Sequence, residues 1–360
     1  MKLLTSYILK KCFQNTFMLL FAFAIIYSVI QAIQELGDVG KGSYTTGAMF
    51  IYLGALLPSY IYLLIPLSVL IGVMTTTLGL VKNSEYAIMR TSGVSLKSIT
   101  KVLAVFGIIF AVITFMLGEV IAPEASQFAK VYKLNHTNQI ISMDLSSGIW
   151  SKDSESNIIN IKKIDPLNNQ IVESIQIFDY DANQKLERYI TSPNASYSKY
   201  NSVWLLESVV VYSYLESQIL ISKHATMSWQ STIEPSYFSV LVISPDDMPA
   251  FGLIKYIKHL KLNHESTNRP EIALWSKLLY PFACISMAFI AVGFIPNNGR
   301  NVNLSSKLFA GILIGVAFFF TNKMIGFVAV LYSWNAILSA VTPTLILFSI
   351  GWIIILKKES

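Results

Sequence analysis

Charge is the first thing this sequence lacks. Asp, Glu, Lys and Arg make up 13% of its 360 residues, where a soluble domain carries about 25%. Several windows of about 20 residues hold almost none, the composition of a polytopic membrane protein. Cysteine is nearly absent: Cys12 and Cys284 stand far apart, each in or near an apolar run, so they form neither a disulfide framework nor a metal set. The four histidines, His136, His224, His259 and His264, give no ligand pair. The last two are five apart, not the three or four that put two ligands on one helical face. No HExxH and no GxSxG occurs, which removes the commonest hydrolase signatures. "GDVGKGS" (Gly37–Ser43) has two residues between its first two glycines, where a phosphate loop needs four before the GK pair. A catalytic site, a metal and a cofactor are therefore none of them indicated, and any energy for work must come from elsewhere.

What the chain has is apolar length. Six spans are expected, at about 13–33, 53–81, 102–122, 275–295, 304–327 and 336–356. No small-residue cleavage site follows the first, so it reads as an uncleaved signal anchor. Pro58 and Pro66 fall inside the second and are tolerable where neighbouring helices satisfy the freed carbonyls. The N-terminus, the loop between spans two and three, the loop between four and five, and the tail together hold eleven Lys and Arg against two acids, Glu85 and Glu359. The alternate short loops hold only Lys41. By the positive-inside rule both termini and the loop around Glu85 are cytoplasmic, and the net charge of +6 reflects topology, not nucleic acid.

Between spans three and four the pattern changes to alternation. "NIINI", "IVESIQIFDY", "SVWLLESVVVYSY" and "SQILISK" are β-branched or aromatic-rich, and turn signals such as "DPLNNQ", "DANQ" and "SPNA" separate them. That predicts an inserted all-β sandwich or roll, on the outer side, over about 136–248. A helix over 249–274 leads back to the membrane, with Leu253, Tyr256, Ile257 and Leu260 on one face. The expected organisation is then spans 1–3 in residues 1–135, the β domain, the connecting helix, and spans 4–6 in 275–360.

The segment between spans two and three reads "LVKNSEYAIMRTSGVS" (Leu80–Ser95). Asn83 or Ser84 can cap a short helix, Glu85 suits its first turn, and Gly93 suits its end. Tyr86, Met89 and Arg90 share one side. Two turns are unstable alone, so the helix lies either on the bilayer or in a groove of a soluble partner. An acid gains nothing at an anionic leaflet, which favours the partner.

Four stretches, "KNSEYAIMRTSGVS", "GEVIAPEASQFA", "GIWSKD" and "LWSKLLYPF", resemble, in order and spacing, the lipopolysaccharide export permease family, LptF and LptG; the last two favour the LptG branch. The resemblance covers the whole chain. It implies the permease subunit of an ABC transporter in the bacterial inner membrane. That subunit works with an LptF-like permease, an LptB-like ATPase dimer and an LptC-like periplasmic protein. Its β domain would be a jellyroll in the periplasm. A coupling helix at 84–92 would meet the ATPase through Glu85, Tyr86, Met89 and Arg90, and no ATPase site would lie in this chain. Lipopolysaccharide contacts are expected near Lys41, Gln31, Gln34, Phe319 and Lys323, although the end of the first span is poor in the basic residues some family members carry. Lys323 reads either as a lysine snorkelling to the surface or as a phosphate contact. Gly311 and Gly315, four apart, allow close helix packing, either at the seam with the partner permease or within the bundle. A non-transporting scaffold or mechanical transmitter that regulates a periplasmic enzyme is the alternative; it too would have a coupling helix and no active site.

Overall fold

The computed structural model describes residues 2–137, 149–152, 157–165, 170–181, 185–198, 203–215, 218–231, 245–262, 266–295 and 303–359. Arg300, His264, Gly148, Asp153 and the turns at 166–169 and 182–184 lie outside these. Five apolar runs form single helices long enough to cross a bilayer: α1 (Lys2–Glu35), α2 (Thr46–Lys82), α4 (Leu96–Met116), α9 (Leu304–Leu331) and α10 (Ala336–Glu359). A short helix, α3 (Glu85–Thr91), joins α2 to α4. After α4 the chain passes through one π-helical turn, Leu117–Ile121, into α5 (Ala122–Thr137) without a break.

The fourth apolar run departs from a single straight span. It is a pair, α7 (Asn268–Leu279) and α8 (Phe282–Gly293), bent by 49°. Pro281 stands at the bend; it has no N–H for the Lys277 carbonyl, so the helical ladder is interrupted there. Helix α6 (Ala250–Leu262) precedes the pair with the predicted periodicity, but it ends at Leu262, short of the expected 249–274, and residues from Asn268 on belong to the bent pair.

Helix α2 is the axis of the bundle. In its most apolar window 78% of residues are buried, against 17% in α1 and in α9. Helices α1, α5, α8 and α9 pack around it. Tyr280 donates to the Leu63 carbonyl at 2.7 Å, a neighbour's hydrogen bond close to the Pro66 interruption. The outer faces of α1 (Phe17, Met18, Phe21, Ile26) and α9 (Phe309, Leu313, Phe320, Phe327) are exposed and apolar. Lipid tails are as apolar as leucine, so such faces are stable only against lipid or another membrane subunit. The chain is a multi-pass helical membrane protein.

Among the described residues the inserted β domain has seven antiparallel strands in one sheet: β1 (Ile149–Lys152), β2 (Asn157–Asp165), β3 (Gln170–Tyr180), β4 (Leu186–Ser192), β5 (Asn194–Ser198), β6 (Val203–Leu215) and β7 (Gln218–Trp229). Pro193 alone separates β4 from β5, and both lie between β3 and β6, so together they form one bent ribbon of a meander. Ser174 and Ser208 flank the bend with φ of 45° and 53°. The Ser174 N–H bonds the Pro193 carbonyl at 3.0 Å, and the Ser192 hydroxyl lies 2.5 Å from the Glu207 carbonyl. This crease folds the sheet over its own core, with Ile159, Ile161, Ile175, Ile177, Trp204 and Leu206 inside. Of the two β architectures expected, the described strands make the roll.

Gly72 sets how closely α1 approaches α2. A Cβ there would lie 2.7 Å from the Thr16 Cα, closer than non-bonded atoms allow. Gly72→Ala should separate the helices and destabilise the protein by about 1–3 kcal/mol, the usual range for overpacking. A lowered thermal midpoint in detergent reads this; an unchanged midpoint would contradict the packing.

Candidate functional site

The chain offers two charged stations, one at each end of the bundle. At the end away from the β domain, α3 is stopped by a Schellman motif. Gly93 N–H bonds the Arg90 carbonyl at 3.1 Å, and Val94 N–H bonds the Met89 carbonyl at 3.0 Å. Gly93 has φ 87°, a conformation that favours glycine. Ser84 begins the helix in the left-handed region and makes no side-chain cap, so the capping expectation is met in position but not in chemistry. The Arg90 Nη1 donates to the Val94 carbonyl at 3.2 Å and completes the C-terminus.

Glu85 is held by this chain's own first helix. Tyr7 Oη donates to Oε2 at 2.8 Å, and Lys11 Nζ lies 3.0 and 3.2 Å from the two oxygens. Asn83 adds a weaker bond at 3.4 Å. The hydrogen bonds from Tyr7 and Lys11 hold the carboxyl below the usual carboxylate range. Met89 is buried and Tyr86 half-buried in the main core. The face turned to solvent is Ala87, Ile88, Arg90 and Thr91, with Ile88 63% exposed. Sequence reading found the helix but missed Ile88, Tyr7 and Lys11. The signal available for Ile88 was its place on the helix away from the side that Tyr86 and Met89 share. The α1 partners lie more than 70 residues away and left none.

The second station joins bundle and β domain. Glu119, in the π-turn, accepts the Ala250 N–H at 2.8 Å at the start of α6. Its Oε1 lies 4.0 Å from Lys277 Nζ and meets no hydrogen-bond donor among the described residues. Lys277, buried in α7, donates to the Met248 carbonyl at 2.5 Å. Lys130 of α5 pairs with Asp247 at 2.5 Å. The four residues Asp247–Ala250, where the chain returns from the β domain, are thus clamped by α5, the π-turn and α7. Glu119 and Lys277 come from "GEVIAPE" and "LWSK", 158 positions apart in the sequence. Gly118 makes room: a Cβ there would meet the Tyr62 ring at 2.5 Å. A lysine inside an apolar span is by default a functional candidate, and that signal was present at Lys277.

The remaining candidates scatter. Lys41 pairs with Asp38 at 2.6 Å; Lys133 bridges Glu35 and Asp38, each at 2.7 Å. Lys133, then Lys41, holds Asp38 below its ordinary range. This rim at the end of α1 is therefore internally neutralised. Gln31 is half-buried and Gln34 exposed; Phe319 is half-buried and Lys323 exposed on α9. Gly311 and Gly315 are buried, and a Cβ on them would strike Met74 and Leu67 of α2. The close contact they make is with α2 of this chain's own bundle.

The sequence matches the family model for the lipopolysaccharide export system permease LptF/LptG over residues 6–357. Two similar proteins are the lipopolysaccharide export system permease proteins LptG of Haemophilus influenzae and of Escherichia coli K12. The first is 24% identical over 356 residues, 99% of each chain. The second is 24% identical over 357 residues, 99% of this chain and 98% of its own.

Two predictions follow from the stations' electrostatics. Because the carboxyl of Glu85 is depressed by its partners, the α3–α1 clasp is complete above the ordinary carboxylate pKa. It is lost as pH falls through the lower folded value. Spin labels on α1 and α3 should move apart over that window in the native chain and show no such step in Glu85→Gln; a step in both would reject the clasp. At the other station, Lys277→Ala should cost about 3–5 kcal/mol, as for any broken buried pair, and Glu119→Gln in the same chain should restore part of it. Additive losses in thermal unfolding would show that the two do not interact.

Proposed function

The chain belongs to the LptF/LptG family of lipopolysaccharide export permeases, and from that premise we propose that it is one half of an ATP-driven extractor of this lipid. It sits in the bacterial inner membrane with both termini in the cytoplasm and the β domain in the periplasm. An LptF-like permease completes the cavity, an LptB-like ATPase dimer drives it, and an LptC-like protein takes the cargo toward a periplasmic bridge. The observation that carries this reading is the family match along nearly the whole chain, joined to a short, well-stopped helix on the side the basic loops assign to the cytoplasm.

The division of labour on α3 supports a coupling role. Ile88, Ala87 and Arg90 are free to meet a soluble partner, while Met89, Tyr86 and Glu85 tie the helix to the bundle. A push on α3 is passed to α1 through Glu85, Lys11 and Tyr7, and to α2 through the chain itself. Helices α1 and α9 carry the bundle's open apolar faces, the surfaces against which a lipid would slide. At the periplasmic end, the Asp247–Ala250 clamp ties movement of α4, α5 and α7 to the β domain. Shielding is required: exposing acyl chains to water costs about 0.8 kcal/mol per CH₂. ATP-driven closure then acts by shifting a two-state equilibrium of the cavity.

The experiment is co-purification in mild detergent followed by lipid release from proteoliposomes. Ile88→Asp should weaken retention of the ATPase by at least about tenfold, as for a central contact. Glu85→Lys, which repels Lys11, should leave hydrolysis but lower the lipid released per ATP. If no ATPase co-purifies, or if both variants release lipid like the native chain, the reading is wrong.

A further inference from the structure

A recess of about 390 Å³ lies between α7 and α9 at the β-domain end of the bundle. Neighbouring positions on each helix line it: Arg269, Ala273 and Ser276 from α7; Asn322, Lys323 and Gly326 from α9. The two helices are held at this spacing by Asn268, whose Nδ2 donates to the Ala329 and Val330 carbonyls at 3.3 and 3.4 Å, and by the small cluster of Ile272, Ala329 and Ala336 beneath. Gly326 borders open space here: a Cβ there would meet nothing within 4 Å, so a larger side chain could enter the recess.

The charge pattern sets this recess apart from the paired lysines of the rim. Lys41, Lys130, Lys133 and Lys261 each contact a carboxylate. Arg269 and Lys323 line one recess and reach no carboxylate within salt-bridge distance among the described residues. Asp246 also lines it, which leaves one net positive charge. Guanidinium and ammonium groups with a hydroxyl and an amide beside them are the donor set that suits phosphate oxygens. Lys323 lies eight residues before the end of α9, about 12 Å along a helix rising 1.5 Å per residue, which is near headgroup depth. Inward from Lys323 at steps of three or four residues along α9, Phe320, Val316, Leu313 and Phe309 are 37–62% exposed, an apolar strip that runs from the cations toward the membrane interior. Phosphate donors at the head of an acyl-sized track fit a membrane lipid better than a free ion.

We propose that the α7–α9 recess binds the phosphate of a membrane lipid, with Arg269 and Lys323 on the phosphate and the exposed apolar face of α9 along the acyl chains. The transport reading adds that this lipid is the phosphorylated glycolipid cargo, met on the flank of the fifth span instead of at the neutralised rim of the first.

Native mass spectrometry of the full chain in nanodiscs tests it. The probes are a phosphorylated lipid A, the same glycolipid stripped of its phosphates, and inorganic phosphate. Phosphorylated lipid should bind at least about tenfold more tightly than the stripped form, the scale of one charge-assisted contact. Arg269→Gln with Lys323→Gln should abolish that difference. Gly326→Leu, which fills the recess without altering charge, should weaken binding of the phosphorylated lipid alike. Equal binding by native and variant chains overturns the proposal, and so does full displacement of the lipid by inorganic phosphate at equal concentration. Unchanged binding in both variants together with normal lipid release would sink this site and leave the transport reading intact; binding as expected without release would do the reverse.

Discussion

No water reaches the middle of a bilayer, so each polar group placed there needs a partner from the chain itself. Much of this structure follows from that constraint. The Lys277 ammonium is buried and spends its hydrogen bond on the Met248 carbonyl, with Glu119 near enough to offset its charge. The Lys307 ammonium reaches back to the Phe294 carbonyl at 3.0 Å, where α8 ends. Thr76 bonds the Gly72 carbonyl of its own helix and receives Asn15 from α1 at 2.8 Å. Apart from the Thr76–Gly72 bond within α2, each of these ties one helix to another segment, so satisfying polar groups and building the bundle are one process.

The same requirement gives the bundle two separate handles. At one end a carboxylate on a two-turn helix is tied to α1; at the other a carboxylate in a π-turn is tied to the return from the β domain. Helix α2, packed on nearly all sides, connects them. In the proposed coupling, α2 would carry displacement from one of these attachments to the other.

Several features were legible from residue order because their cause is local. The six apolar runs, the alternation over the β strands, the glycine that ends α3 and the periodicity of α6 all depend on residues within a few positions of one another. The bend in the fourth run was half-legible: Pro281 marks an interruption, but whether a proline kinks a helix depends on what packs around it. The Glu85 partners and the Glu119–Lys277 pair were not legible, since they join residues 74 and 158 apart. Gly311 and Gly315 announced a close contact without saying with what; the side chains of Met74 and Leu67 decide it.

The sequence alone determined that this chain crosses a membrane several times, that a β insertion interrupts the crossings, and which family it resembles, because hydropathy, alternation and motif order are properties of the string. It could not say which span lies at the centre. The first and second spans have mean hydropathies of 2.2 and 2.1, yet 17% of one window is buried and 78% of the other. Lipid and protein interior are both apolar, so composition cannot tell a helix facing lipid from one buried among its neighbours. Only tertiary packing makes that choice, and with it the choice of which charges meet.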